Sequence, residues 1–324
     1  MGTSEANLTP VVVIAGPTAS GKSALAVDVA EAVRGTVINA DSMQVYRELR
    51  VLTARPSPAD EARAPHRLFG VLPAAKRCSV GRWLAMAVSE IQSAREDGRV
   101  PVVVGGTGLY LKALIHGLTP IPIIPANVRA QAEALHARLG GAAFRAALAA
   151  LDPESAGRLR ESDPQRLIRA YEVAAATGRP IGDWRRSAPA SPAGCGPFVV
   201  VVVRPPRETL YASIDVRFDR MIADGVVDEV RTIVAMRLDP SLPAMKAVGV
   251  RELAAALDGN STMEVAVAAA KQASRNYAKR QLTWLRHQLA ADVSLDEKYS
   301  ESFRAKTLSN IRRFLLTRGA RPST

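Results

Sequence analysis

The sequence predicts an α/β fold: a P-loop parallel sheet core covered by helices, with a smaller all-helical insertion domain. Three observations carry this. The first third alternates short β-branched runs with helical stretches, which is how a chain builds a parallel sheet covered on both faces. The stretch "GPTASGKS", residues 16–23, stands between the apolar run "VVVIA" and the helical "ALAVDVAEAVR". After "LTPIPIIP", residues 118–125, the pattern changes to alanine-, leucine- and arginine-rich helices.

In order along the chain, "VVVIAG" reads as a strand, "SGKSALAVDVAEAVR" as a helix and "GTVINAD" as a strand. "GRWLAMAVSEIQSAREDG" has helical spacing, and "RVPVVVGG" and "FVVVVVRP" are further buried strands. Proline and glycine clusters bound the middle, "LTPIPIIP" on one side and the loop "SAPASPAGCGP" on the other. We therefore expect a core of residues 1–122 and 198–324 with C-terminal helices, and a helical insertion over 123–197. The tail after residue 205 reads as mostly helical, and no internal repeat or low-complexity tract is present.

The 43 Lys plus Arg against 31 Asp plus Glu give a net charge of +12, which favours an anionic partner, nucleic acid above all. An arginine-rich proteome gives the same excess, so charge alone does not decide. The longest apolar runs are of strand length, too short to cross a bilayer, so no membrane partner is expected. The opening "MGTSEANLTP" lacks the basic region of a secretory signal. Two well-separated cysteines, Cys78 and Cys195, suit a reducing cytoplasm and exclude a cysteine-pair zinc module, and the four histidines show no ligand spacing. We expect a cytoplasmic, monomeric protein without a structural metal.

"GPTASGKS" fits the phosphate-loop pattern with a strand before it and a helix after it. Backbone N–H groups of Gly16, Pro17, Thr18, Ala19, Ser20, Gly21, Lys22 and Ser23 (proline excepted) surround an anion, and the Lys22 ammonium adds charge. The Ser23 hydroxyl can ligate a magnesium ion that shares the phosphate charge. In open parallel sheets ligands sit beyond the carboxyl ends of the strands. Asp41 ends the second strand, where a helix cap for "SMQVYREL", a metal ligand and a proton acceptor are all open to it. "VVVGGTGLY" ends the next strand with paired glycines and Thr107, whose hydroxyl can donate to a phosphate; read alone, a plain turn accounts for it as well. That strand lacks the terminal acid common in nucleotide hydrolases.

Together, "GPTASGKS", "NADSMQVYREL", "TARPS", "APHRLFG", "VVVGGTGLYLKAL", "DPQRLIRA", "RFDRMIADG" and "YAKRQLTWLR" resemble, in this order, the bacterial tRNA dimethylallyltransferase family over residues 10–290. The resemblance implies transfer of a five-carbon group from dimethylallyl diphosphate to the exocyclic amine of the adenosine 3′ of the anticodon, in tRNAs reading codons that begin with U. It makes the loop a grip on a diphosphate leaving group, with magnesium as the cofactor. It implies Asp41 as general base, Thr107 as donor to the bridging oxygen and Arg217 as a diphosphate contact. Without it, Arg217 reads as a solvated arginine on an amphipathic helix. The anticodon stem-loop of tRNA is the implied partner of Asp41, Ser42, Met43 and Gln44, of Arg129, and of Gln165, Arg166, Leu167, Ile168 and Arg169. Lys271, Arg275 and Lys279 share a face of the C-terminal helix, as phosphate contacts or as a solvated charge face; Trp284 and Leu285 read as core.

Some positions depart from the family pattern. Val250 stands where relatives often have tyrosine, and Arg67 where histidine is frequent. The rival enzymes are an isopentenyltransferase acting on free adenine nucleotides and a small-molecule kinase. "QRLIR" and the basic balance favour RNA, because a free nucleotide needs no basic footprint.

Overall fold

The computed structural model describes residues 8–186, 192 and 195–319. Most of the loop "SAPASPAGCGP" (residues 187–191, 193 and 194) lies outside the described residues, as do residues 1–7 of the N-terminal stretch.

The chain divides into two compact units, Met1–Ile115 with Pro192–Thr324, and His116–Ser191. The first unit opens with β1 (Val11–Ala15), α1 (Lys22–Val33), β2 (Gly35–Asn39), α2 (Pro58–Arg63) and β3 (His66–Arg67). α3 (Val80–Glu96), β4 (Val100–Gly105) and α4 (Gly108–His116) follow. The second unit is all helical: α5 (Ala126–Ala149), α6 (Pro153–Arg158), α7 (Pro164–Thr177) and α8 (Ile181–Arg186). The chain then returns to the first unit with β5 (Phe198–Val203), α9 (Arg207–Ala223), α10 (Val226–Ala235) and α11 (Val250–Leu257). It ends with α12 (Met263–Gln288), β6 (Val293–Leu295) and α13 (Arg304–Gly319).

The six strands form one parallel sheet in the order β3-β2-β4-β1-β5-β6. Every residue of β1 and β2 is buried, as a parallel sheet covered on both faces requires. Alternation along β1 separates two cores. Val11 and Val13 pack with Trp83, Ile91 and Leu114 on one face, and Val12 and Ile14 with Leu25, Val29 and Ile311 on the other. The second unit has its own core of Phe144, Leu148, Leu167, Val173 and Ile181.

The four long strands stand where the sequence places them. β3 and β6, of two and three residues, carry too little pattern to be read and exist because an edge of the sheet accepts them. "SMQVYREL" is not a helix: residues 42–49 form turns with one isolated bridge, Tyr46 to Leu72. Tertiary bonds take the place of a helical ladder there. The Glu229 carboxylate accepts the backbone N–H groups of Arg50 (2.7 Å), Val51 (2.7 Å) and Leu52 (2.9 Å). Glu48 accepts from the N–H of Ala74 at 2.8 Å. Val250 is 2 % exposed and belongs to the core, so it packs and does not face a ligand. Arg67 pairs with Glu90 at 3.6 Å.

Because Glu229 is the sole acceptor shown for three N–H groups, Glu229→Ala should destabilise the protein by about 2–4 kcal/mol. Urea unfolding followed by fluorescence measures this; a loss below about 0.5 kcal/mol would mean that water satisfies those groups equally well.

Candidate active site

Strand register brings three loops together. Ala15 of β1 pairs with Gly105 of β4, and Asn39 of β2 pairs with Val104 of β4. The chain therefore leaves three adjacent strands, each about 4.8 Å from the next, at nearly one level. The exits are Gly16, Ala40–Asp41 and Gly106–Thr107.

At the first exit the phosphate loop closes on itself. Ala19 (φ 63°) and Gly21 (φ 88°) adopt left-handed conformations, and three N–H groups expected to meet an anion are instead engaged within the protein. Gly16 donates to the Gly105 carbonyl (3.4 Å), Thr18 to Gln281 Oε1 (2.8 Å) and Ser20 to the Pro17 carbonyl (3.4 Å), which leaves Ala19, Gly21 and the start of α1 for a ligand. The half-buried Lys22 folds back, its Nζ donating to the carbonyl of Pro17 at 3.2 Å. The Ser20 hydroxyl is buried and has no hydrogen-bond partner. Ser23 is exposed in the first turn of α1.

At the second exit Asn39, fully buried, fixes the backbone: its Oδ1 accepts the Asp41 N–H (2.8 Å) and its amide donates to the carbonyls of Asp41 (3.0 Å) and Leu68 (3.1 Å). Asp41 Oδ1 accepts the N–H of Met43 at 2.9 Å, a local turn and not a helix cap. The other carboxylate oxygen takes no hydrogen bond from a described residue. At the third exit the Thr107 hydroxyl accepts the Ser42 N–H at 3.0 Å and donates to the Ser42 hydroxyl at 3.3 Å, tying the two loops together. Gln44 is held away from them by donating to the carbonyls of Thr53 (2.9 Å) and Ala54 (3.0 Å).

Arg217 reaches the loop from α9 and donates to the Thr18 hydroxyl. Its helix is pinned to α12: Arg275 grips both oxygens of Asp215 (2.8 and 2.7 Å), and Lys271 meets Asp219 at 2.5 Å. Lys271 and Arg275 are thus engaged with carboxylates of α9 at the protein surface. Lys279 is exposed and lines an open groove with Arg280, Thr283, Trp284 and His287. Leu285 is core, while Trp284 is half-buried and also borders that groove.

Sequence reasoning placed this helix but missed the residues by which it assembles the loops. Gln281 of α12, 6 % exposed, accepts the Thr18 N–H at 2.8 Å and donates to the Gly106 carbonyl at 2.9 Å. Gly106 must lack a side chain, since a Cβ there would lie 2.2 Å from the Gln281 amide. One turn earlier, Tyr277 hydrogen-bonds toward Thr107 and Gln281; burial and the Asp41 charge push its hydroxyl pKa up. A glutamine at a buried helical position was the available signal.

The electrostatics are unbalanced toward the positive. Desolvation lowers Lys22 to about 8, opposed by Asp41 and reinforced by Arg217. Desolvation lowers Arg217 to about 10, again opposed by Asp41. Two desolvated cations share one carboxylate, and an anion on the loop would complete the set.

The remaining predicted residues lie in the second unit. Asp163 caps α7 by accepting the Arg166 N–H at 3.2 Å, with Pro164 in the first turn. Gln165 and Arg166 are exposed there, and Ile168 is partly buried. Leu167 is fully buried, so it holds the helix in place and cannot touch a ligand. Arg169 (2.6 Å) and Arg129 (3.9 Å) both face the buried carboxylate of Glu172.

A phosphate loop, a neighbouring strand-end carboxylate and two cations beyond the carboxyl ends of adjacent strands define a P-loop protein. The profile of the family described as "IPP transferase" matches residues 44–288, and that of "Isopentenyl transferase" residues 9–69. A tRNA dimethylallyltransferase of Rhodospirillum centenum (strain ATCC 51521 / SW) is 57% identical over 287 residues, 89% of this chain and 91% of its own length. The solved full-length tRNA isopentenylpyrophosphate transferase of Bacillus halodurans aligns with a TM-score of 0.67 at 31% identity, covering 96% of this chain and 97% of that one. A eukaryotic dimethylallyltransferase acting on tRNA shares the fold, with a TM-score of 0.79 at 23% identity over 94% of this chain and 78% of its own. The chain belongs to the tRNA dimethylallyltransferase family.

The lowered Lys22 pKa sets a pH dependence. Below about 8 the ammonium is charged before any ligand arrives; above it, an arriving anion must draw a proton onto Lys22. Affinity for an alkyl diphosphate should therefore fall as pH rises through 8, by at most about tenfold per unit, with proton uptake on binding. Calorimetry at pH about 9 in buffers of different ionisation enthalpy reads that uptake. Binding without proton uptake would place the free Lys22 pKa well above this.

Proposed function

We propose that this chain transfers the dimethylallyl group of dimethylallyl diphosphate to the N6 amine of the adenosine 3′ of the anticodon, in tRNAs reading codons that begin with U. The observation that carries the reading is the crowding of Lys22 and Arg217 at the phosphate loop, with Asp41 as the carboxylate that opposes their charge. Breaking an allylic carbon–oxygen bond builds negative charge on diphosphate, and donors already fixed around that position stabilise the transition state more than the ground state. Arg217 and the loop amides bind the outgoing charge, and Lys22 exchanges its bond to the Pro17 carbonyl for one to phosphate.

Asp41 serves as general base. An adenine amine is a weak nucleophile, so removal of its proton as the new bond forms lowers the barrier. The uncommitted Asp41 oxygen is the acceptor, and the bond from Met43 N–H to the other oxygen holds the carboxylate in place. Thr107, one strand away, turns its hydroxyl from Ser42 to donate to the oxygen that bridges carbon and phosphorus. The exposed Ser23 hydroxyl in the first turn of α1 would hold magnesium, a hard ion that accepts a single protein oxygen. When bound, that ion supplies charge neutralisation on the leaving diphosphate.

Residues 123–197 are assigned to tRNA recognition. Gln165, Arg166, Arg169 and Arg129 supply amide and guanidinium groups suited to phosphates and to the edges of unstacked bases. The protein acts as a cytoplasmic monomer.

Asp41→Asn should reduce single-turnover transfer by about a hundredfold or more while leaving donor and tRNA affinities within a few-fold of wild type. Mass analysis of nucleosides after incubation with dimethylallyl diphosphate, magnesium and unmodified tRNA measures it. Near wild-type formation of isopentenyladenosine by the variant would remove Asp41 from the chemistry. Transfer of a γ-phosphate to a small acceptor, with no prenylated adenosine formed, would make the protein a kinase.

A further inference from the structure

The segment after α12 lies beyond the family match at residues 44–288. β6 extends the sheet beside β5, with Val203 opposite Leu295 and the Arg204 N–H donating to the Leu295 carbonyl at 2.7 Å. Four residues further on, the chain comes back to the phosphate loop at Tyr299.

Tyr299 meets the loop and its helix at three points. Its backbone N–H donates to the Ser20 carbonyl at 3.1 Å. Gly21 lies against its backbone so closely that a Cβ on Gly21 would stand 2.7 Å from the Tyr299 carbonyl oxygen and 3.0 Å from its Cβ. Its hydroxyl donates to Asp28 Oδ2 at 2.6 Å, in the second turn of the helix that the loop opens. Both partners are buried, Tyr299 at 5 % exposed and Asp28 at 8 %. Asp28 Oδ1 is held in turn by Arg63 at 2.6 Å, with Arg304 of α13 at 3.7 Å.

These contacts have a directional consequence. In a trans peptide the C=O and the following N–H point in opposite directions. A Ser20 carbonyl fixed on Tyr299 therefore aims the Gly21 N–H away from Tyr299, on the side free to meet an anion. The glycine's φ of 88° suits this turn, and the Tyr299 backbone fills the space where a side chain would otherwise project. The hydroxyl bond to Asp28 sets how far the tyrosine can move from the start of α1.

We infer that Tyr299 is a positioning residue of the donor site, holding the Ser20–Gly21 peptide in its anion-binding orientation from the C-terminal segment. The inference rests on the reading of residues 16–23 as the diphosphate cradle. Tyr299 touches no reacting atom; it acts through the loop. A role confined to stability would weaken both substrates together, whereas a positioning role weakens the donor and spares tRNA.

The test titrates inorganic diphosphate with magnesium into the full chain by calorimetry, alongside steady-state kinetics for donor and tRNA. Tyr299→Phe keeps the ring and the backbone bond and removes only the hydroxyl. It should lower the unfolding midpoint, because a buried bond to Asp28 is lost, and should weaken diphosphate about tenfold and raise the donor KM in parallel, with the tRNA KM little changed. Asp28→Asn, which retains an acceptor for the hydroxyl, should stay within about threefold of wild type. Wild-type diphosphate affinity in Tyr299→Phe, while Lys22→Ala loses it, would overturn the role of Tyr299 and leave the cradle standing. Equal losses for diphosphate and tRNA would overturn it too, in favour of simple stabilisation. Wild-type diphosphate affinity in Lys22→Ala would sink the cradle itself, and the inference with it.

Discussion

The carboxamide of Gln281 joins two loops that the sheet brings near each other but does not connect. Register alone sets Gly16 beside Gly105. Beyond that point each loop is free to diverge, because parallel strands end without a turn linking them. Gln281 uses both ends of its amide, accepting from Thr18 and donating to Gly106, so its orientation is fixed by chemistry as well as by burial. A buried amide is costly unless satisfied, and here both of its partners are backbone groups of the proposed site. Thr107 extends the link to Ser42, so that all three loops form one bonded series.

The same helix places the cations. Asp215 and Asp219, one turn apart on α9, meet Arg275 and Lys271, one turn apart on α12. Arg217 lies between those two acids in sequence and projects to Thr18 instead. The surface pairs themselves contribute little stability, but two pairs along one helix define its rotation, and rotation decides where Arg217 points. Lys22, Arg217 and Asp41 then share a desolvated site whose cations outnumber its acid. Such an arrangement is unfavourable for the free protein and favourable for an anionic ligand, the usual trade between stability and function.

The frame of this site was legible in the sequence. "GPTASGKS" between a strand and a helix admits few other structures, and Asp41 and Thr107 could be placed at strand ends because the β-branched runs before them are unambiguous. What stayed hidden arose from tertiary bonds. "SMQVYREL" has helical composition, yet Glu229, distant in sequence, binds the backbone that follows it, and Gln44 is drawn onto Thr53 and Ala54. Lys271 and Arg275 looked like a basic face because their carboxylate partners sit on another helix. Leu167 lies inside a stretch that suggests contact throughout, but a helix turns every fourth residue inward, and burial assigns it to the core. Tyr299 carried no motif at all; its contacts with Ser20, Gly21 and Asp28 reveal it.

The central claim is that α12 assembles the reacting groups by bridging loops, and the chemical step is where that should be felt. Single-turnover prenyl transfer by Gln281→Leu, at saturating donor and tRNA, tests it most directly. Leucine fills similar volume without joining Thr18 to Gly106. The account predicts transfer slowed by about tenfold to a hundredfold, as for misplaced reacting groups, with tRNA affinity close to wild type and the variant still folded at the assay temperature. A wild-type rate in this variant would show that the loops hold their places unaided, and would contradict the account.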